Sequence, residues 1–206
     1  MSSKEKILAK IRSNRVAKRT EIEPLDITHF VANDGDKYEN FKTNLTNNKA
    51  VVHETDAKGL QAKVEEIIKT VGAKTVMFGS DLPIKTDKLK ADKLPFDKPV
   101  NEIREEVFDA DTSIIQARLG VSNFGVCCVV SSKEQPRLLS LLPTNCIILL
   151  KKDALVESLD KALAEVTKDE LPTNIIFIMG PSRTADIELI TVLGVHGPQN
   201  VHVVLY

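Results

Sequence analysis

An open α/β sandwich, a mostly parallel sheet with helices on both faces, is the fold class this sequence predicts. Two observations carry that expectation. Apolar runs such as Cys146-Ile147-Ile148-Leu149-Leu150 and Ile175-Ile176-Phe177-Ile178 are continuous rather than alternating, as in strands buried on both faces. Segments of helical spacing lie between such runs, so strands and helices alternate along the chain. Ligands in sheets of this kind sit beyond the carboxyl ends of the strands. Gly79-Ser80, Ser131-Ser132 and Gly180-Pro181-Ser182 fall at predicted strand ends.

The elements follow in order. Lys4, Lys6, Ile7, Leu8 and Ile11 predict an amphipathic helix over 3–14, and a polar linker with Pro24 runs to about residue 35. Tyr38, Phe41 and Leu45 share one face of a helix over 36–47, and 50–53 reads as a short strand. Asp56 is a cap for a helix carrying Leu60, Val64, Ile67, Ile68 and Val71, and a strand follows over 74–78. The Lys/Asp/Pro-rich segment 81–99 reads as loop with weak helical pieces. A strand is expected near 107–110, a helix over 113–121, a strand over 126–131 and a short helix or turn over 136–142 with Pro136 near its start. The strand 146–151 leads to a helix capped by Asp153 and carrying Leu155, Val156, Leu159, Leu163 and Val166. A strand over 174–179, a helix over 183–192 and a strand over 200–205 close the chain. The organisation expected is an N-terminal helix and linker, 1–35, and one domain, 36–206.

Composition narrows the function classes. The 206 residues carry 28 Lys+Arg against 29 Asp+Glu, so no global positive field favours nucleic acid or an anionic membrane as partner. No apolar run is long enough to span a membrane and the start lacks an apolar signal core, so a cytoplasmic protein is expected. The three cysteines, Cys127, Cys128 and Cys146, lie in apolar strand-like runs, which argues for reduced thiols. Cys127 and Cys128 are successive strand residues and point to opposite faces, and no Cys/His group has ligand spacing, so no metal is expected. The chain has no Gly-x-Gly-x-x-Gly, no Walker lysine and no Cys-x-x-Cys, hence no evident cofactor of its own.

The richest stretch is Gly180-Pro181-Ser182-Arg183-Thr184-Ala185-Asp186-Ile187-Glu188, with Gly194-Val195-His196-Gly197-Pro198 after it. A strand, a glycine turn bearing hydroxyls and then a helix start would aim backbone N–H groups and a helix dipole at an anion. Arg183 adds a planar, permanently charged fork for carboxylate or phosphate. Ser182 or Thr184 as a helix cap, with Asp186 complementing the dipole, is the competing reading, and the two are compatible. His196, in a glycine-rich turn, is either an acid/base near neutral pH or a residue that holds the turn.

These motifs, together with Leu193 before Gly194, the closing strand Val201-His202-Val203-Val204-Leu205 and the block Glu134-Gln135-Pro136-Arg137-Leu138-Leu139-Ser140-Leu141-Leu142-Pro143, resemble the LUD-domain family, the lactate-utilisation protein C (LutC/YkgG) group. The resemblance implies a Rossmann-like fold similar to those of ribose-5-phosphate isomerase, glucosamine-6-phosphate isomerase and CoA transferases. It also implies a role in oxidising L-lactate to pyruvate, with iron–sulfur clusters carried only by partner proteins. On this reading the chain is the cluster-free component, a small-anion-binding accessory subunit with ligand residues Gly180, Ser182, Arg183, Thr184 and Asp186, joined by Asn123 and Gly125. The alternative is an enzyme in its own right acting on a phosphorylated or CoA-type ligand, for which Asp186 and His196 are the catalytic candidates. A third possibility is an interaction protein whose basic N-terminal helix docks on a partner. The segment 115–126 departs from the family pattern. Ile115 and Gln116 stand for Thr and Gly, Arg118 for Asp, Asn123 for an acid, and Phe124 and Val126 for Thr, while Gly125 matches. An amide at 123 cannot act as acid or base, so no catalytic role is carried over there.

Overall fold

The computed structural model describes residues 2–14, 35–169, 171–185, 191–193 and 197–206. It divides into two units, Met1–Val31 and Ala32–Tyr206. In the first, α1 (Ser3–Ser13) opens with a capping box. The Ser2 hydroxyl accepts from the Glu5 N–H, and the Glu5 carboxylate accepts from the Ser2 N–H at 2.6 Å. Its Ile7, Leu8 and Ile11 are exposed.

The second unit holds a six-stranded sheet whose pairings are all parallel, in the order β1-β12-β7-β4-β2-β3. Its strands are β1 (Val51–Glu54), β2 (Thr75–Phe78), β3 (Asp92–Pro95), β4 (Thr112–Gln116), β7 (Asn145–Leu150) and β12 (Asn200–Leu205). Both faces are covered, and β7 shows how. Ile147 and Leu149 pack with Leu60, Val64, Ile67 and Ile68 of α3 (Leu60–Val71). Ile148 and Leu150 pack on the opposite face with Phe41 and Leu45 of α2 (Lys37–Asn47) and with Val107 of α4 (Arg104–Asp109). A polar chain crosses the amino ends of four strands. Asn200 Nδ2 donates to Asn145 Oδ1 at 2.9 Å, Asn145 Nδ2 to Thr112 Oγ1 at 3.2 Å, and Thr112 Oγ1 to the Asp111 carboxylate, which also accepts from the Lys74 and Thr75 N–H groups.

A second, four-stranded sheet, β8-β5-β6-β9, packs over the α2 side. It comprises β5 (Leu119–Val121), β6 (Val126–Val130), β8 (Leu155–Val156) and β9 (Ile175–Ile178). Cys127 faces the main core and Cys128 faces Ala162 of α5 (Leu159–Val166), so the adjacent thiols do point to opposite sides. A short antiparallel pair, β10 (Arg183–Ala185) with β11 (Thr191–Leu193), stands apart from both sheets.

Several expected elements are different. The span 113–121 is not a helix but β4 and then β5, because Ile114 and Ile115 are fully buried on opposite faces of the sheet. The expected strand at 107–110 is the end of α4, whose first turn carries Glu105 and Glu106 against the helix dipole. The segment 81–99 contains β3, a charged edge strand ending in Pro95, the composition by which edges resist further pairing. Asp153 does not cap a long helix. Leu155 and Val156 are taken by β8 instead, and α5 starts after Ser158. The cap expected of Asp56 is displaced: its carboxylate accepts from the Gly59 N–H at 2.7 Å, one residue before α3 begins. The helix expected over 183–192 is replaced, at its described ends, by β10 and β11.

Candidate functional site

The lip begins where β9 ends. Gly180 has φ +148, and a Cβ there would lie 2.3 Å from the Asn48 carbonyl oxygen, so only glycine lets this turn reach the end of α2. Ser182 N–H donates to the Pro198 carbonyl at 2.8 Å, which ties the lip to the segment leading into β12. An Arg183 guanidinium nitrogen donates to the Asn48 carbonyl. Because β10 begins at Arg183, the lip is a strand start, and among the described residues no helix begins there. Gly180, Ser182 and Arg183 come together with Gly197; Thr184 lies in β10, its side chain outside the described residues, as are Asp186 and His196 altogether.

Asn123 and Gly125 approach the same corner from the β5–β6 turn. Asn44 Nδ2 donates to the Ser122 and Asn123 carbonyls at 3.0 and 3.1 Å, and Asn48 Nδ2 donates to the Phe124 carbonyl at 3.0 Å. Gly125 has φ +60 and packs against α2, where a Cβ would meet the Leu45 nitrogen at 2.2 Å. Asn48, the C-cap of α2, therefore joins the 122–125 turn by its side chain to the lip by its carbonyl. The sequence reading missed this residue, although its place just after an amphipathic run is a helix-end signal. Lys49 follows with φ 70, the left-handed conformation that turns the chain from α2 into β1.

Arg183 and Pro181 line two cavities. One, of about 670 Å³, is mainly apolar, with Leu141, Ile176, Ile178, Met179 and Pro198 beside Asn48, Ser182 and Gly197. The other, of about 450 Å³ and no less apolar, is lined by Lys49, Val51, Gln199, Asn200, Val201 and His202. Behind His202 lies His53, with His53 Nε2 3.1 Å from His202 Nδ1 and the rings stacked 5.3 Å apart. Burial holds both imidazoles below the ordinary histidine pKa; at His53 the Lys63 ammonium adds to this and Glu66 opposes it, and at His202 the His53 ring adds to it.

A third cavity, of about 600 Å³, lies beyond the carboxyl ends of β4 and β7, lined among others by Asp81, Gln116, Arg118, Gln135, Lys151 and Asp169. The chain leaves β2 toward β3 and β4 toward β7, so this is a topological switch point of the sheet. Gln135 clamps the end of β4, accepting from the Gln116 N–H at 2.6 Å and donating to the Gln116 carbonyl at 2.9 Å. The glycine turn after β2 is already filled: Ser80 N–H donates to the Glu134 carbonyl at 2.9 Å, and a Cβ on Gly79 would lie 2.2 Å from that oxygen. Arg118 thus lines a different cavity from the lip residues, and Arg137 is exposed on its 3-10 turn. Among the described residues no group of three or more His, Cys, Asp or Glu is placed to hold a metal ion. No described helix is long and apolar enough to cross a membrane.

Comparison with known proteins agrees with this architecture. Residues 38–206 match the LUD domain model. Lactate utilization protein C of Bacillus licheniformis is 30% identical over 162 residues, 70% of this chain and 68% of that protein. Lactate utilization protein C of Oceanobacillus iheyensis is 32% identical over 97 residues, 45% of this chain and 42% of that protein. Against several curated relatives the match spans less than half of their length. A crystal structure of a DUF162 family protein from Deinococcus radiodurans shares the fold, with TM-score 0.62 and 18% identity over 88% of this chain and 99% of that one. With both sheets inside the matched domain and a relative aligned over two thirds of its own length, the chain belongs to the LUD-domain family.

Proposed function

We propose that this chain is the cluster-free component of a lactate-utilisation system, a cytoplasmic accessory subunit that binds a small anion at its lip and works beside iron–sulfur partner proteins. The observation that carries the anion reading is Arg183, a permanent cation held by Asn48 at the junction of two cavities. The names of the relatives from Bacillus licheniformis and Oceanobacillus iheyensis support the process. The thiols support the cluster-free part. Cys127 and Cys128 face opposite sides of their sheet, so the three buried thiols do not converge on one cluster. Kinship with isomerases and CoA transferases of similar fold belongs to this proposal too.

The test is a thermal-shift screen of the full chain against lactate, pyruvate, sugar phosphates, nucleotides and CoA esters, with Arg183→Ala alongside. A ligand that binds only the folded state raises Tm by mass action. The expected result is a shift with a small carboxylate that the variant loses. A shift with a phosphorylated or CoA-type compound instead, accompanied by turnover, moves the assignment to an enzyme in its own right.

A further inference from the structure

The cavity on the β1–β12 edge has a chemistry of its own. Lys49 and Arg183 supply permanent positive charge, Gln199 and Asn200 supply carboxamides, and among the described residues no carboxylate lines it. An anion entering there meets donors and no like charge.

The wall at His202 adds something that a simple anion site lacks. β1 and β12 run parallel, with Val51 opposite His202 and His53 opposite Val204, so the two imidazoles are diagonal neighbours on the face covered by α3. Their facing nitrogens, 3.1 Å apart, have room for one hydrogen between them. When both rings are neutral, one donates and the other accepts. A single added proton keeps that bond, since a protonated ring still donates to its neutral neighbour. A second would put two N–H groups face to face. The pair is therefore a one-proton device. The charges on α3 oppose each other, and those in the cavity are positive. On α3, Lys63 opposes protonation of His53 and Glu66 favours it, these two being ion-paired at 2.6 Å, while Lys49 and Arg183 in the cavity add positive charge. A carboxylate bound in the cavity beside His202 adds a negative charge that favours a proton on the pair.

We infer that this cavity takes a small monocarboxylate together with one proton, the carboxylate lying against Lys49 and Arg183 and the proton held by the His53–His202 pair. The ligand is thus stored as the equivalent of its neutral acid. The inference rests on the reading of Arg183 as an anion ligand and adds the site, the partner residues and the proton.

Titration calorimetry of the full chain with L-lactate, and separately with acetate, tests it between pH 5.5 and 8 in two buffers of different ionisation enthalpy. The expected result is a buffer-dependent heat that reports uptake of up to one proton, with affinity rising as pH falls, by at most about tenfold per pH unit. His202→Gln, checked for folding by its melting curve, is expected to bind more weakly and without proton uptake. Binding whose affinity and heat ignore pH and buffer overturns the proton step and leaves the anion site standing. Uptake that persists in His202→Gln also overturns it, because the proton then goes elsewhere. No binding of either probe at any pH overturns the anion reading of Arg183 itself.

Discussion

One glycine and three thiols carry the sharpest consequences at the scale of single residues. Gly125→Ala would place a methyl group 2.2 Å from the Leu45 nitrogen at φ +60. The expected cost is about 1–3 kcal/mol, read as a lower urea midpoint with an unchanged slope. Gly125 was legible in the sequence as a family match, but its reason, the close approach of α2, appears only in three dimensions. The thiols make a pH prediction. Their folded pKa values are raised by burial, Cys128 to about 11 and Cys146 to about 12, while an unfolded thiol titrates near about 8.5. Stability is then complete below the unfolded value and falls as pH rises from there through the folded values. Urea midpoints measured from pH 8 to pH 11 should decline, and iodoacetamide should label the native protein only as fast as it opens. Rapid native labelling at pH 8 would contradict the burial.

The scale of the element shows where sequence patterns stop being informative. Long amphipathic stretches such as α2 and α3 and the continuous runs of β7 and β12 were readable, because one periodicity dominates each. Most misread spans hold an element too short to show a period: strands in 113–121 and at 155–156, and the short helix α4 reaching into 107–110. In 113–121 the run Ile114-Ile115 is followed by Gln116-Ala117-Arg118-Leu119, which is good helix chemistry, and only the covering of both faces makes it two strands. The lip failed in the same way: a helix was expected over 183–192, yet the backbone from 183 to 185 pairs with that from 191 to 193. Cross-strand NMR contacts should join Thr184 to Val192, with no helical i,i+3 pattern starting at Arg183. Of the candidates the sequence offered, Gly180, Ser182 and Arg183 lie together around one cavity. Their neighbours Asn48, Lys49 and His202 were not legible beside them, because they come from the end of α2 and from β12, apart from the lip in sequence.

At the scale of the whole molecule, the domain boundary expected near residue 35 has a direct test. The segment 36–206 produced alone is expected to unfold in a single cooperative transition with the midpoint of the full chain, and a large fall in that midpoint would place part of the fold's support in the first 35 residues. A second molecular property follows from β7 and its neighbours. Because Ile147, Ile148, Leu149 and Leu150 are all fully buried, sliding the strand by one residue would exchange one greasy face for another, and hydrophobicity could not tell the two alignments apart. The polar chain from Asn200 through Asn145 and Thr112 to Asp111 can, since a slip would leave the buried Asn145 and Thr112 without their partners. Those few hydrogen bonds act as the reading frame of the sheet. They let a nearly featureless apolar core have one correct alignment rather than several that are almost as good.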